Sequence, residues 1–331
     1  MTVLETTSDR MGAGPPAPVS VVIPILNEAR TLPELLAGLA RQNRLPREVI
    51  FVDAGSTDGG HDLVDAWWRA GGWRGGRCRV LSRPGAYPGT GRNAGIEAAT
   101  SDWVAFLDGG ITPDPDWLAS LLQFAEGRRV QSVFGMCRFW GEGAFCRALC
   151  ALSYGQGALR PVLPSSLFRK EVFQEVGLFS EDLLAAEDVV WVARHLAVYG
   201  RKDVCREALV HYRYFPETWG RALRKWYAYS VNVAKSGSFP AQQAGYVACL
   251  ALAVAGLAVS PWAVVSVLPV YVIARGVLEP MRRSSPRRWW GGARPAIAVA
   301  LGLGPALDVA KTAGFITGNI LRAARWGRGS R

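Results

Sequence analysis

Histidine is scarce in this chain, three in 331 residues, and His61, His195 and His211 stand far apart. A lone histidine is more often an ordinary core or surface side chain than a ligand, so no histidine chemistry is assigned. The six cysteines include no Cys-x-x-Cys pair, which argues against a disulfide framework or a zinc site; Cys146 and Cys150, at helical spacing, read as small core residues. Residues 1–18 hold no apolar run, so the expectation there is a disordered tail with neither a signal peptide nor a leading membrane anchor. Charge is almost missing from Ala244 to Leu278, where Arg275 is the exception. What remains is rich in apolar side chains: 50% of residues are hydrophobic and 13 are Trp, enough to bury one large domain and leave an apolar segment over. The net charge of +11 leans toward the C-terminus and suits acidic headgroups or an anionic substrate. No nucleic-acid motif accompanies it, and nucleic acid is not expected as a partner.

Val19–Ile25 is a β-branched run, followed at once by Asn27-Glu28 and an amphipathic helix from about Leu32 to Gln42. Glu48–Asp53 is a second strand ending in a carboxylate, with a Gly- and Ser-containing loop leading into a helix that carries Leu63, Val64 and Trp67. A third strand is predicted at Cys78–Leu81, then a loop over Gly85–Gly91 that opens a helix at Arg92-Asn93. Strands alternating with helices predict an α/β fold with a mostly parallel sheet, and in such sheets ligands sit beyond the carboxyl ends of the strands. The first strand is followed by Leu26-Asn27-Glu28 where a dinucleotide-binding unit carries Gly-x-Gly-x-x-Gly, so that unit is rejected.

Trp103–Leu107 is continuous enough for a strand covered on both faces, and it delivers Asp108 to a ligand beside two glycines. A helix is expected next, with Asp114 as N-cap and Pro115 in the first turn; Asp114-Pro-Asp116 is therefore read as capping rather than metal binding.

Val-Val-Ile-Pro-Ile-Leu-Asn-Glu28, Val-Asp-Ala-Gly-Ser-Thr-Asp58, Gly-Arg-Asn-Ala-Gly95 and Phe-Leu-Asp108 resemble, in order and spacing, the GT-A domain of family two glycosyltransferases. The resemblance runs from about Val19 to Tyr229. It implies that Pro24, Asn27, Glu28 and Asp53 hold the donor's base and ribose, that Arg92 and Asn93 belong to the donor site with Arg92 facing the diphosphate, and that Asp108 is the metal ligand. The family's Asp-x-Asp reads Asp108-Gly109-Gly110 here, so Mg2+ or Mn2+ at Asp108 is the implied cofactor without its second carboxylate. The stretch ending Ala186-Glu187-Asp188 resembles the family's Glu-Asp motif, which makes Asp188 the general base with Glu187 beside it. Ser165 and Ser166 are candidate acceptor contacts. Arg221, Arg224 and Lys225, interleaved with aromatics, are candidates for a diphosphate clamp or for an interfacial helix. Compared with the Gln-x-x-Arg-Trp motif of processive synthases, Ala222 takes the Gln place and Lys225 the Arg, which argues against a polymerase.

The apolar stretch 244–278 is too long for one upright span, and folding at Ser260-Pro261 makes a helical hairpin. Basic residues flank both sides, Arg224, Lys225 and Lys235 before it and Arg282, Arg283, Arg287 and Arg288 after it, which favours an even number of crossings. Residues 295–325, with Asp308 and Lys311, read as an amphipathic helix on the membrane surface, a third span being the alternative. The expectation is a tail (1–18), a GT-A domain (19–235) and a membrane-associated region (236–331). The protein is expected to be an inverting glycosyltransferase at the cell membrane, its catalytic domain cytoplasmic, moving sugar from a nucleotide-sugar to a lipid, lipid-linked glycan or polysaccharide of the cell envelope. An inactive sugar-nucleotide-binding subunit, argued from Gly110, and a processive synthase are the rivals.

Overall fold

The computed structural model describes residues 15–71, 76–285 and 293–329. Most of the expected tail, with Arg287 and Arg288, lies outside the described residues. One sheet of eight strands runs through the domain: β1 (Ala17–Ile25), β2 (Pro46–Asp53), β3 (Arg77–Ser82), β4 (Trp103–Phe106), β5 (Ile111–Pro113), β6 (Ser132–Phe139), β7 (Leu159–Arg169) and β8 (Val204–Tyr212). Their order is β3-β2-β1-β4-β7-β6-β8-β5. Four of the seven pairings are parallel, β1 with β2 and β4, β2 with β3, and β6 with β8. The other three are antiparallel, so the parallel half carries the strands that precede Glu28, Asp53 and Asp108, and a mixed half completes the sheet.

The helices are α1 (Leu32–Ala40), α2 (Gly60–Arg69), α3 (Pro88–Ala98), α4 (Trp117–Arg128), α5 (Gly143–Ser153), α6 (Lys170–Val176), α7 (Glu187–Tyr199), α8 (Trp219–Lys235), α9 (Pro240–Val259), α10 (Pro261–Ile273), α11 (Glu279–Arg283) and α12 (Arg294–Gly329). A π turn at Ala274–Leu278 joins α10 to α11. Strand alternation divides the core. Val19, Val21 and Ile23 of β1 face a layer with α1, α4, α5, α8 and α12, while Val22 faces α3, α6 and α7. A central strand covered on both faces is largely apolar, which is why β1, β2 and β4 read so clearly, with Ser20 and Glu48 as a buried polar pair between β1 and β2.

Two helix starts differ from the sequence reading. Helix α3 begins at Pro88, so Gly89 and Gly91 belong to its first turn rather than to a loop. A Cβ on Gly89 would stand 2.1 Å from the Ser180 carbonyl oxygen, and one on Gly95 would stand 2.2 Å from Val22 Cγ1. These glycines let α3 press on β1 and on the segment before α7. Helix α4 begins at Trp117, not at Pro115, because β5 pairs with β8 and the Asp114 amide donates to the Leu209 carbonyl, holding the chain extended. Asp114 is therefore no cap: its carboxylate lies 2.7 Å from His211 Nε2.

The expected hairpin forms, α9 and α10 breaking at Ser260. Helix α12, expected as an amphipathic surface helix, packs one side into the domain. Its Ala296, Ala300, Leu303 and Leu307 join the main core. Gly314 and Gly318 bring it against α8, where an added Cβ would stand 2.6 Å from the Tyr227 carbonyl oxygen and 2.3 Å from that of Val231. Residues 240–259 and 294–324 are long and apolar enough to cross a membrane, but 6% of the first segment's most apolar window is buried against 33% of the second's.

Candidate active site

The parallel strands end at one rim. Asn27-Glu28 follow β1, Asp53 ends β2 and Asp108 follows β4, as their order along the sheet requires. The first two loops lock together. Asn27 takes a left-handed backbone, φ 55°, which asparagine tolerates better than most residues. Its amide donates to Ser56 Oγ at 2.9 Å, and its Oδ1 accepts from the Thr57 amide at 2.9 Å. Asp53 accepts from the Ser56 amide and hydroxyl at 3.0 and 2.6 Å. Pro24 stands two residues past the last β1–β4 pair, where its missing N–H costs no ladder bond on that side. Glu28 Oε2 lies 2.6 Å from the Thr31 hydroxyl, and that hydroxyl is 2.8 Å from the Gly109 carbonyl. Burial raises the Glu28 carboxyl above its ordinary range, the Thr31 contact and Lys225 opposing.

The centre is an arginine. Arg92, on α3 and 3% exposed, donates from Nη2 to Asp108 Oδ1 at 2.7 Å and from Nη1 to Glu187 Oε1 at the start of α7. Its charge is therefore paired with two carboxylates, Asp108 and Glu187, where the sequence reading has it facing a diphosphate. Burial penalises the guanidinium, and Asp108, Glu187 and Asp188 more than restore its charge. Asn93 is likewise spent on structure: Nδ2 donates to the Phe179 carbonyl and to Glu181, and Oδ1 accepts from the Phe179 amide at 2.9 Å. Together the two residues tie α3 to the segment that precedes α7.

That segment ends at Ala186, whose φ of 68° is unfavourable for a residue with a Cβ. Glu187 turns inward to Arg92, and Asp188 accepts from the Val189 amide at 2.8 Å. Burial, with Glu187 adding to it, lifts the Asp188 carboxyl to about 6. Burial also raises Asp108, against the pull of Arg92. A carboxyl near 6 suits a general base, because it is ionised at neutral pH and still basic enough to take a proton.

Lys225 reaches the same rim from α8. Its Nζ is 3.0 Å from the Tyr212 hydroxyl, and its charge acts on both Glu28 and Asp108. Arg221 and Arg224 are exposed, and the structure brings neither into the ion-pair cluster. Tyr212, at the carboxyl end of β8, was not singled out by sequence reasoning. The signal was weak, because β8 carries Arg206, Glu207 and His211 and does not read as an apolar run. Its Cε2 would lie 3.7 Å from a Cβ at position 110, an ordinary contact, whereas a Cβ at 109 would stand 2.8 Å from Glu28 Cγ. Gly109 is thus required by packing and Gly110 is not.

Ser165 and Ser166 do not face the rim. Both are fully buried in β7; Ser165 Oγ accepts from Trp117 Nε1 at 3.1 Å, and Ser166 donates to the Val162 carbonyl at 2.6 Å. They hold the core and are no acceptor contacts. Among the described residues no group of three or more His, Cys, Asp and Glu is arranged to hold a metal. Asp108 alone stands at the expected position, with Oδ1 engaged by Arg92. A divalent ion there would draw most of its ligands from substrate phosphates.

The family model for glycosyl transferase family 2 matches residues 20–176. Glycosyltransferase AglE of Haloferax volcanii is 29% identical over 189 residues, covering 53% of this chain and 60% of that protein. The pre-mycofactocin glycosyltransferase of Mycobacterium tuberculosis is 34% identical over 191 residues, covering 52% of this chain and 37% of that protein. The chain thus spans less than two thirds of these relatives. Among solved structures, mannosyltransferase PcManGT from Pyrobaculum calidifontis, in complex with GDP-Man and Mn2+, aligns over 95% of this chain and 81% of its own at 17% identity and a TM-score of 0.49. S. aureus TarS 1-349 in complex with UDP-GlcNAc aligns over 93% and 92% at 16% identity and a TM-score of 0.47.

Proposed function

We propose that the protein, whose residues 20–176 match the glycosyl transferase family 2 model, is a membrane-attached inverting glycosyltransferase that moves a sugar from a nucleotide-diphosphate donor to a hydroxyl of a lipid-borne acceptor. The observation that carries this reading is the relay Asp108–Arg92–Glu187, buried at Arg92 and Glu187 and open at Asp108, which fastens the donor-side carboxylate to the helix start bearing Asp188. Asp188 takes the proton as the acceptor oxygen attacks the anomeric carbon; the bond from that carbon to the nucleotide diphosphate breaks, and the configuration inverts. Glu28 and Asp53 offer acceptor oxygens to base and ribose groups. Lys225, beside Tyr212 and opposite Gly110, neutralises charge on the leaving diphosphate. A divalent ion bound at Asp108 would add to that neutralisation, so Lys225 reduces the dependence on metal without replacing the site.

A lipid-borne acceptor is supported by what lies behind Asp188. Ala186 and Val189 pack with Val233, Ala234 and Phe315, and Tyr246 of α9 completes that cluster. The base is therefore tied to the root of the apolar hairpin, where a membrane lipid presents its headgroup.

The test is nucleotide release by detergent-purified protein across UDP-, GDP- and dTDP-sugars, with Mg2+, with Mn2+ and with chelator. Release from one donor, lost in Asp188→Asn and weakened in Lys225→Ala most strongly in the chelator arm, is expected. Tight binding of a donor with no release under any condition would favour a binding subunit instead.

A further inference from the structure

We infer that the α9–α10 hairpin is a re-entrant membrane anchor, entering the bilayer from the side that carries the catalytic domain and returning to it without emerging opposite. This rests on the membrane attachment proposed above and not on the transfer chemistry. The occupant is indicated by composition and exposure together. Residues 244–274 contain no Asp, Glu, Lys or Arg. Beyond Tyr246 and Tyr271 the two helices expose apolar side chains all round, Leu252, Val259, Trp262 and Val270 among them. A protein partner covers one face of a helix; an apolar surface on every face is the pattern for hydrocarbon.

The root of the hairpin is as polar as its shaft is apolar. Asp308 on α12 accepts from Arg275 Nε and Nη2 at 2.6 and 2.9 Å, from the Tyr271 hydroxyl at 2.8 Å and from the Tyr246 hydroxyl at 3.3 Å. Glu279 accepts from Arg275 Nη1 at 2.5 Å and also pairs with Arg283. Lys311 Nζ lies 3.5 Å from the Tyr246 hydroxyl. Tyrosines beside ion-paired groups belong at the headgroup level. Lys235, at the end of the helix leading into the hairpin, and the exposed Arg282 add positive charge toward anionic lipids at that level.

Length then decides the depth. At about 1.5 Å per residue, Ser260 stands about 21 Å along α9 from Tyr246 and about 17 Å along α10 from Tyr271. The hydrocarbon core is about 30 Å thick, so a turn this close to the tyrosine layer stops roughly 10 Å short of the far interface. Its chemistry suits that burial: the Ser260 amide closes on the Gly256 carbonyl at 2.8 Å, Pro261 brings no N–H, and Ser266 donates to the Trp262 carbonyl. The other helix long enough to cross, α12, is held against α5 and α8 and supplies no compensating span.

The experiment places a thiol at the turn. In full-length protein carrying Cys249→Ala and Cys78→Ala, Ser260→Cys and, separately, Arg282→Cys are reconstituted in sealed liposomes with the catalytic domain outward. A membrane-impermeant maleimide is added outside or encapsulated, and donor turnover confirms that each variant is folded. Arg282→Cys should label from outside, whereas Ser260→Cys should label from neither side until detergent dissolves the vesicles. Labelling of Ser260→Cys from the lumen would replace the re-entrant anchor by two full spans. Labelling from outside in vesicle-bound protein would place the hairpin outside the bilayer and overturn the inference. Failure to float with the vesicles would overturn membrane attachment itself, while donor turnover reports on the chemistry independently.

Discussion

The parallel half of the sheet holds carboxylates at both ends and treats them in opposite ways. At the amino end, Glu48 Oε1 accepts from the Ser20 hydroxyl and from the Thr100 amide and hydroxyl at 2.6 to 2.7 Å, and Oε2 accepts from Arg79 at 2.9 Å. Burial pushes its carboxyl up, but these donors outweigh it and hold it below the ordinary range. At the carboxyl end, Glu28, Asp108 and Asp188 are half-buried, receive fewer donors and are all raised. A saturated carboxylate is a rivet, whereas an undersupplied one retains affinity for a proton, a metal or a ligand hydrogen.

The contrast is sharpest at Asp188. Asp188→Asn should lower acceptor-dependent turnover by about a thousandfold, measured as nucleotide release. The same variant should melt higher than wild type at pH 8. The raised carboxyl lowers stability as pH climbs from the ordinary carboxyl range through about 6, so the difference should close toward pH 4. Glu48→Gln should do the reverse, losing about 1–3 kcal/mol in denaturant unfolding at pH 7 while leaving activity per folded molecule unchanged. Because its carboxyl is held low in the folded state, that contribution is present above the ordinary carboxyl range and fades as pH falls through the folded value. In wild type, kcat/KM should rise through about pH 6 and be about tenfold below its plateau at pH 5. The smallest effect belongs to the glycine pair: Gly110→Asp should keep its stability within about 0.5 kcal/mol and increase the response to Mn2+, whereas Gly109→Ala, crowding Glu28, should lose more.

Much of this rim was legible. The runs Val21–Ile25, Val49–Val52 and Trp103–Leu107 before Glu28, Asp53 and Asp108 are apolar on both faces, and a carboxylate closing such a run has few places to go except the sheet's edge. The partners were not. Arg92 and Glu187 are 95 residues apart, and nothing in Gly-Arg-Asn-Ala-Gly distinguishes a guanidinium aimed at phosphate from one buried between carboxylates. Ser165 and Ser166 have the hydroxyls a sugar contact needs, but a β strand that receives a Trp117 indole needs one as well. In α12 the glycines and alanines that would admit another helix in a bilayer admit α8 equally well, since small residues record close approach and not the identity of the neighbour.

Tyr246 packs on Phe315 in the cluster that also holds Ala186 and Val189, beside the proposed base Asp188, and it reaches the charged root of the hairpin as well. On the proposed membrane attachment and lipid-borne acceptor, a catalyst fastened in that way would meet its substrate by lateral diffusion, in two dimensions. Its saturation is then set by the mole fraction of acceptor in the surface and not by the amount per litre. Diluting vesicles of fixed composition leaves the acceptor-limited rate per enzyme unchanged, while diluting the acceptor with inert lipid lowers it.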